Sequence, residues 1–351
     1  MSFARRTERA LDLVLRLALL VPTLLVALLL AGVMTARAAE TECTAPSLLP
    51  AFRASGDYAA LEKAAAAVPN GEGRVWRIRR EGVADSTLFG TMHLSDPRIL
   101  ALPPAAKARF EAAKTLVIET TDILEETKAQ LAILARVDLI NLPPGKTLAD
   151  LATPQQLATL RTALDGAGIP LQAIQTLQPW FFAAGMMMPG CETARLAAGA
   201  KPLDLRLAID AEAAGKQVLG LEAATEQLEA MASLPIALQV DSLIATLVLK
   251  EKLPAIFESM TELYLEGRIA MISPLSEAVM PKENVTPETV AGYRAFDAII
   301  VTRRNHVMAE RLLPILAKGD TMVAVGALHL PGEEGLVALL RAEGYSVERL
   351  D

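Results

Sequence analysis

Cysteine is scarce in this chain: Cys43 and Cys191 are the only two. Two thiols fall short of the ligand set of a thiolate zinc site, which is therefore excluded. In an exported chain an even, low count permits one disulfide, Cys43–Cys191; two buried thiols are the alternative. Aromatic residues make up only 4% against 52% hydrophobic residues in all. The core must then be built mainly from Leu, Ala, Val and Ile, which suits helices packed on a sheet. Cations are short as well. Net charge is −7, and five of the arginines lie in the first 38 residues, leaving 29 Lys and Arg against 39 Asp and Glu in the rest. An acidic body lacks the phosphate-neutralising cations of a non-specific nucleic-acid binder, so no nucleic-acid partner is expected. HExxH, G-x-S-x-G and a P-loop lysine are missing too, which removes those three routes to chemistry.

Histidine is scarce too, with three copies. Two of them end the same pattern. Thr87-Leu88-Phe89-Gly90-Thr91-Met92-His93 and Met322-Val323-Ala324-Val325-Gly326-Ala327-Leu328-His329 are each an apolar run followed by Gly-x-x-His and Leu. A run of β-branched and apolar residues predicts a buried strand. The glycine allows close backbone approach. The histidine then projects beyond the strand's carboxyl end, where open α/β sheets bind ligands. Helical patterns follow at Ala105–Ala113 and Glu334–Glu343, then strands at Thr115–Glu119 and Tyr345–Arg349. Both ends of the chain thus read as strand, Gly-x-x-His, helix, strand.

Arg5, Arg6, Arg9 and Arg16 precede a charge-free run from Leu17 to Ala36, and Ala36-Arg37-Ala38 offers a small-residue cleavage site. Residues 1–38 are therefore expected to be a signal peptide, which places the protein in the periplasm or outside the cell. The alternative is an uncleaved anchor, the only membrane contact expected. Residues 39–351 are expected to form one domain, with a mainly helical insertion at about 121–318.

Cys43 to Val68 reads as helical with a turn at Gly56, and Arg74–Ile78 as a strand that forms a hairpin with the next. Trp180, Phe181, Phe182 and Met186–Met188 mark the most apolar point of the insertion. Ordinary core packing is the simpler reading; a groove for peptides or lipids is the other. Asp204 is expected to cap a helix running to Ala214, a direct role in the site being the alternative. A strand at Gln217–Leu221 then ends in Glu222, as Thr115–Ile118 ends in Glu119. Pro274, Pro281 and Pro287 suggest a looser link, and one long helix is expected from about Pro287 to Ala317.

Two histidines and two carboxylates at strand ends suit a divalent metal: zinc, manganese, cobalt or iron. His93, His329, Glu119 and Glu222 are the candidate ligands, with Glu119 or Glu222 as general base. Arg304 is the candidate for holding a substrate carboxylate or a developing oxyanion. Each has a plainer reading: a hydrogen-bonded loop histidine, a strand-end salt bridge, a solvated helix face. His306, beside arginines on a helix, is read as surface or as a support for the site.

At these residues the chain resembles the TraB/PrgY/GumN family, which includes the Tiki proteins, and is closest to its GumN-like bacterial branch. The matching pieces are Gly73–Ile78, Leu88–Leu94 with Asp96-Pro97-Arg98, Val117-Ile118-Glu119, Leu219–Glu222 with Gln227, Arg304-Asn305, and Val323–Gly335. The resemblance implies a central mixed sheet like that of erythromycin-esterase-like and ChaN-like proteins. It also implies a site of two Gly-x-x-His motifs and separated glutamates: His93, Glu119, Glu222 and His329, with Arg304 beside them. Tiki members are described as metal-dependent proteases that favour manganese or cobalt, which points to a peptide or small-molecule substrate. Gly267-Arg268 departs from the Gly-Asp of many relatives. A protein that sequesters a ligand without turnover is the second expectation.

Overall fold

The computed structural model describes residues 45–125, 127, 135–280 and 294–351. Residues Thr44–Asp351 form one unit. The expected leader, Cys43, Pro281 and Pro287 lie outside the described residues. The chain is α/β, as its pattern predicts. Strands β1 (Val75–Arg80), β2 (Val83–Thr91), β3 (Thr115–Ile118), β4 (Gln217–Gly220), β5 (Thr321–Gly326) and β6 (Ser346–Arg349) make a single sheet in the order β4-β3-β5-β2-β1-β6. β4, β3, β5 and β2 run parallel, and β1 is antiparallel to both β2 and β6. The two Gly-x-x-His strands are direct neighbours, with Gly90 opposite Val325 and Thr91 opposite Gly326.

Helices flank both faces. They include α1 (Pro104–Ala112), α2 (Pro179–Met187), α3 (Gly190–Ala197), α4 (Leu203–Ala213), α5 (Ala224–Ala232), α6 (Ile236–Leu249), α7 (Leu253–Leu265), α8 (Arg303–Leu316) and α9 (Leu336–Ala342). Alternation along the strands splits the core. Phe89, Leu116, Ile118, Met322 and Ala324 face α4 and α7. Leu88, Val117, Val323 and Val325 face α8 and α9. A separate cluster built from Leu148, Leu160, Leu164, Ala183, Val240 and Leu243 packs α2 and α6 together.

Several boundaries differ from expectation. Asp204 does not cap α4: Pro202 takes that place without a side-chain bond, and Asp204 lies in the first turn. Pro274 sits in a helix, Ile272–Ala278, where the first-turn position tolerates it. The expected long helix is interrupted by a π-helical stretch, Asp297–Thr302, before α8 begins. Trp180 packs as core, 5% exposed, with its indole N–H on the Leu139 carbonyl. Phe181 and Met187 of the same helix remain exposed. Among the described residues no single helix is long and apolar enough to cross a membrane.

Candidate active site

Four parallel strands deliver the expected residues to one end of the sheet. β3 ends at Ile118, and Glu119 follows directly. The backbone N–H of Gly326, at the end of β5, donates to Glu119 Oε1 at 2.7 Å. His93 Nε2 lies 3.6 Å and His329 Nε2 3.9 Å from that same oxygen. The two imidazoles thus share one carboxylate oxygen although 236 residues separate them in the chain. The other oxygen, Oε2, accepts from Arg304 Nη2 at 2.6 Å and from Gln227 Nε2 at 3.3 Å.

Each imidazole is held from behind. His93 Nδ1 is 2.7 Å from Asp204 Oδ2, and Thr91 Oγ1 donates to Asp204 Oδ1 at 2.5 Å. His329 Nδ1 is 2.7 Å from Asn305 Oδ1, and Asn305 Nδ2 donates to the Glu334 carbonyl at 2.9 Å. A carboxylate and an amide oxygen only accept, so both Nδ1 atoms carry the proton. Both Nε2 atoms then turn toward Glu119.

Glu222 stands apart from the imidazoles. Arg304 Nη2 donates to its Oε2 at 2.7 Å, and Arg304 Nε lies 3.1 Å from both of its oxygens. Gln227 adds a contact at 3.4 Å. Arg304 is therefore clamped between two carboxylates, buried Glu222 and half-buried Glu119, and its Nη1 also donates to the Ile300 carbonyl in the π-helical stretch. That stretch sets where the guanidinium enters. His306 is exposed and pairs with Glu334 at 3.1 Å.

The two motif glycines do different work. A Cβ on Gly90 would come within 3.0 Å of the Ala327 backbone and Leu330, so Gly90 lets β2 meet the second turn. A Cβ on Gly326 would lie 3.2 Å from Glu119 Oε1, 3.2 Å from His93 Nε2 and 3.5 Å from His329 Cδ2. The space among the three groups is open because residue 326 has no side chain.

Charge follows the geometry. Burial raises the Glu119 pKa, but His93, His329, Arg304 and the Gly326 N–H outweigh it and hold the carboxyl at about 2. Burial pushes His329 down to about 4, so its ring is neutral at pH 7. Burial also works against a charged His93, but Asp204 and Glu119 push it up to about 9. With 59% of the His93 side chain open to solvent, water screens part of that attraction.

Among the described residues no three His, Cys, Asp or Glu side chains stand at closed metal-binding distances. Ligands of one ion with bonds near 2.1 Å would be roughly 3.0–3.5 Å apart. Glu119 Oε1 misses that from each Nε2 by only a few tenths of an ångström. Two imidazole Nε2 atoms, that of His93 once it gives up its proton, and a carboxylate oxygen around a cradle that a methyl would fill are a donor set that fits a divalent ion. Since Pro202 holds the cap position, the structure takes the site role and not the cap for Asp204. Its 111-residue distance from His93 leaves no local signal. Asn305 had one signal, its place in the Arg304-Asn305 pair. Cys191 is buried in α3, and its expected partner Cys43 lies outside the described residues. Arg268 of the departing Gly267-Arg268 bonds Tyr58 and Glu62 and makes none of these contacts.

A model of the TraB/PrgY/gumN family matches residues 74–349. The chain is 26% identical over 317 residues to "Metalloprotease TIKI1" of Danio rerio, covering 78% of this chain. It spans 62% of that relative's length. "Uncharacterized protein YbaP" of Shigella flexneri is 24% identical over 267 residues, covering 75% of this chain and 90% of the relative. YbaP of Escherichia coli is 23% identical over 257 residues, covering 72% and 87%. No solved structure matches the chain.

Proposed function

The chain belongs to the TraB/PrgY/gumN family, and from that premise we propose that it is an exported, metal-dependent hydrolase acting on peptides. One observation carries this reading: two imidazole Nε2 atoms and one Glu119 oxygen converge on an open cradle, with both Nδ1 atoms held from behind. The relative named a metalloprotease supports peptides as the substrate class. His93, His329 and Glu119 would hold the ion; manganese, cobalt and zinc all suit this donor set. The ion would polarise a carbonyl and make bound water more acidic.

The chain's own residues do the rest. The Gly326 N–H fixes Glu119 Oε1, and Arg304 fixes Oε2, so the carboxylate has one direction left to face. Glu222 keeps the Arg304 guanidinium in place. His93, the most open group, faces arriving substrate. The N-terminal apolar run supports export, and the family resemblance is the basis for placing the fold beside erythromycin-esterase-like and ChaN-like proteins.

One observation favours a second reading, a protein that binds a peptide or small ligand without turnover. Both Glu222 oxygens and both Glu119 oxygens already accept hydrogen bonds, so neither is a free general base. The test is elemental analysis of the purified protein beside a His93→Ala, His329→Ala double variant, followed by a peptide-cleavage screen with the bound metal. Stoichiometric metal lost in the variant, with metal-dependent cleavage, supports the hydrolase. Metal without cleavage supports the binder. No metal, and none taken up on titration with manganese, cobalt or zinc, overturns the hydrolase and favours the ligand-binding reading.

A further inference from the structure

We infer that Asp204 and Asn305 are positioning residues of unequal weight: Asp204 sets the metal affinity of the site through His93, and Asn305 mainly sets the stability of the fold around His329. This rests on the metal reading above. Both side chains fix an Nδ1–H and so aim Nε2 toward Glu119. What differs is everything else that holds each ring.

His329 is 7% exposed at the side chain and sits in a short 3₁₀ turn, Ala327–His329, between buried Ala327 and Leu330. Packing already restricts that ring. Asn305 is 2% exposed and bridges two backbone regions, with Oδ1 on His329 and Nδ2 on the Glu334 carbonyl. Removing it strands a buried N–H and a carbonyl, which costs stability. The neutral ring would keep close to its place.

His93 is the opposite case. Its side chain is 59% exposed, so little packing opposes rotation of the imidazole. Asp204 is its one short hydrogen-bond partner among the described residues. Asp204 is itself rigid: it is 7% exposed, Thr91 donates to its other oxygen, and the Leu203 N–H ties α4 to the Leu94 carbonyl at 3.2 Å. That backbone bond brings α4 against the loop that carries His93. An immobile carboxylate behind a mobile ring is where preorganisation has most to gain.

The experiment measures cobalt(II) affinity by titration, with the visible absorption of the bound ion as readout, beside thermal melting of the metal-free protein. Nitrogen–proton spectra of the metal-free protein follow each ring's Nδ1–H. Asp204→Leu is expected to weaken cobalt binding by roughly 10–100-fold and to lose the His93 Nδ1–H signal, with a small change in melting. Asp204→Asn, whose amide oxygen still accepts from His93 while its NH₂ faces Thr91, restores affinity to within about tenfold of the parent. Asn305→Leu is expected to lower the melting temperature more than Asp204→Leu while the folded protein loses less than about tenfold in affinity. If Asp204→Leu does not fold, Thr91→Val, which only frees the carboxylate, must show a smaller loss of the same sign.

Unchanged affinity in Asp204→Leu, or in Thr91→Val where that stands in, overturns the inference, as does the reversed order of the two leucine variants. A parent that binds no cobalt overturns the metal reading and the affinity part of the inference. The Nδ1–H signals then still report whether Asp204 holds the ring, so the two failures are distinct.

Discussion

Adding one methyl group to residue 326 separates the roles of the two motif glycines. Gly326 has φ −51 and ψ 134, a conformation that alanine adopts without strain. Its N–H remains, so the bond to Glu119 survives in Gly326→Ala. The new Cβ would stand 3.2 Å from both Glu119 Oε1 and His93 Nε2. That is a few tenths of an ångström too close, and His93 can swing outward because it is exposed. The expected stability loss is therefore small, under about 1 kcal/mol, at the low end of overpacking costs. Ion binding is another matter, since the methyl occupies the space in which three ligands would meet. A loss of at least about tenfold in manganese, cobalt or zinc affinity, or about 1.4 kcal/mol, is expected by calorimetric titration. Gly90→Ala is the contrast. Its Cβ would press at 3.0 Å on the Ala327 backbone and Leu330, both buried, and nothing there can swing away. That change is expected to cost about 1–3 kcal/mol, read as a melting point lower by several degrees. Parent-like metal affinity in Gly326→Ala would refute the idea that the three donors share one ion.

Arg304→Met leaves Glu119 and Glu222 buried without their cation, and a loss of roughly 3–5 kcal/mol is expected by denaturant unfolding. Adding Glu222→Gln to that variant should recover part of the loss; no recovery would mean that Glu222 is not held through Arg304. In the metal-free protein, an NMR titration should find His93 losing its proton near pH 9 and His329 neutral down to about pH 4. The raised His93 pKa contributes stability that is full below about 6.5 and lost as pH rises through 9. The depressed Glu119 pKa contributes stability present above about 4.5 and lost as pH falls through 2. A metal that displaces the His93 proton should then bind more tightly as pH rises toward 9, and pH-independent affinity would contradict His93 as a ligand. His306→Ala removes an exposed pair with Glu334, and stability should stay within about 0.5 kcal/mol and metal affinity should not move.

Much of the frame was legible one residue at a time. Apolar runs of strand length, bounded by glycine, predict β2 and β5, because a strand buried on both faces needs unbroken apolar side chains. The repeated Gly-x-x-His predicts that two histidines share a sheet end, and the strand pairing places them there. Glu119 and Glu222 were visible as carboxylates at strand ends, although β4, at the sheet edge, is not the buried strand its sequence suggests. These are properties of short segments, and the sequence by itself determined them. What each carboxylate does was left to the tertiary structure. Glu119, Glu222 and Asp204 have the same chemistry, and only the partner brought to each tells them apart: two imidazoles and Arg304 for the first, Arg304 for the second, His93 for the third. Apart from His93, 26 residues before Glu119, those partners come from segments 82 or more residues away, joined by strand register and by the docking of α4 and α8 on opposite faces of the sheet. No local pattern encodes that choice, because it depends on which faces are buried together and not on the order of residues along the chain.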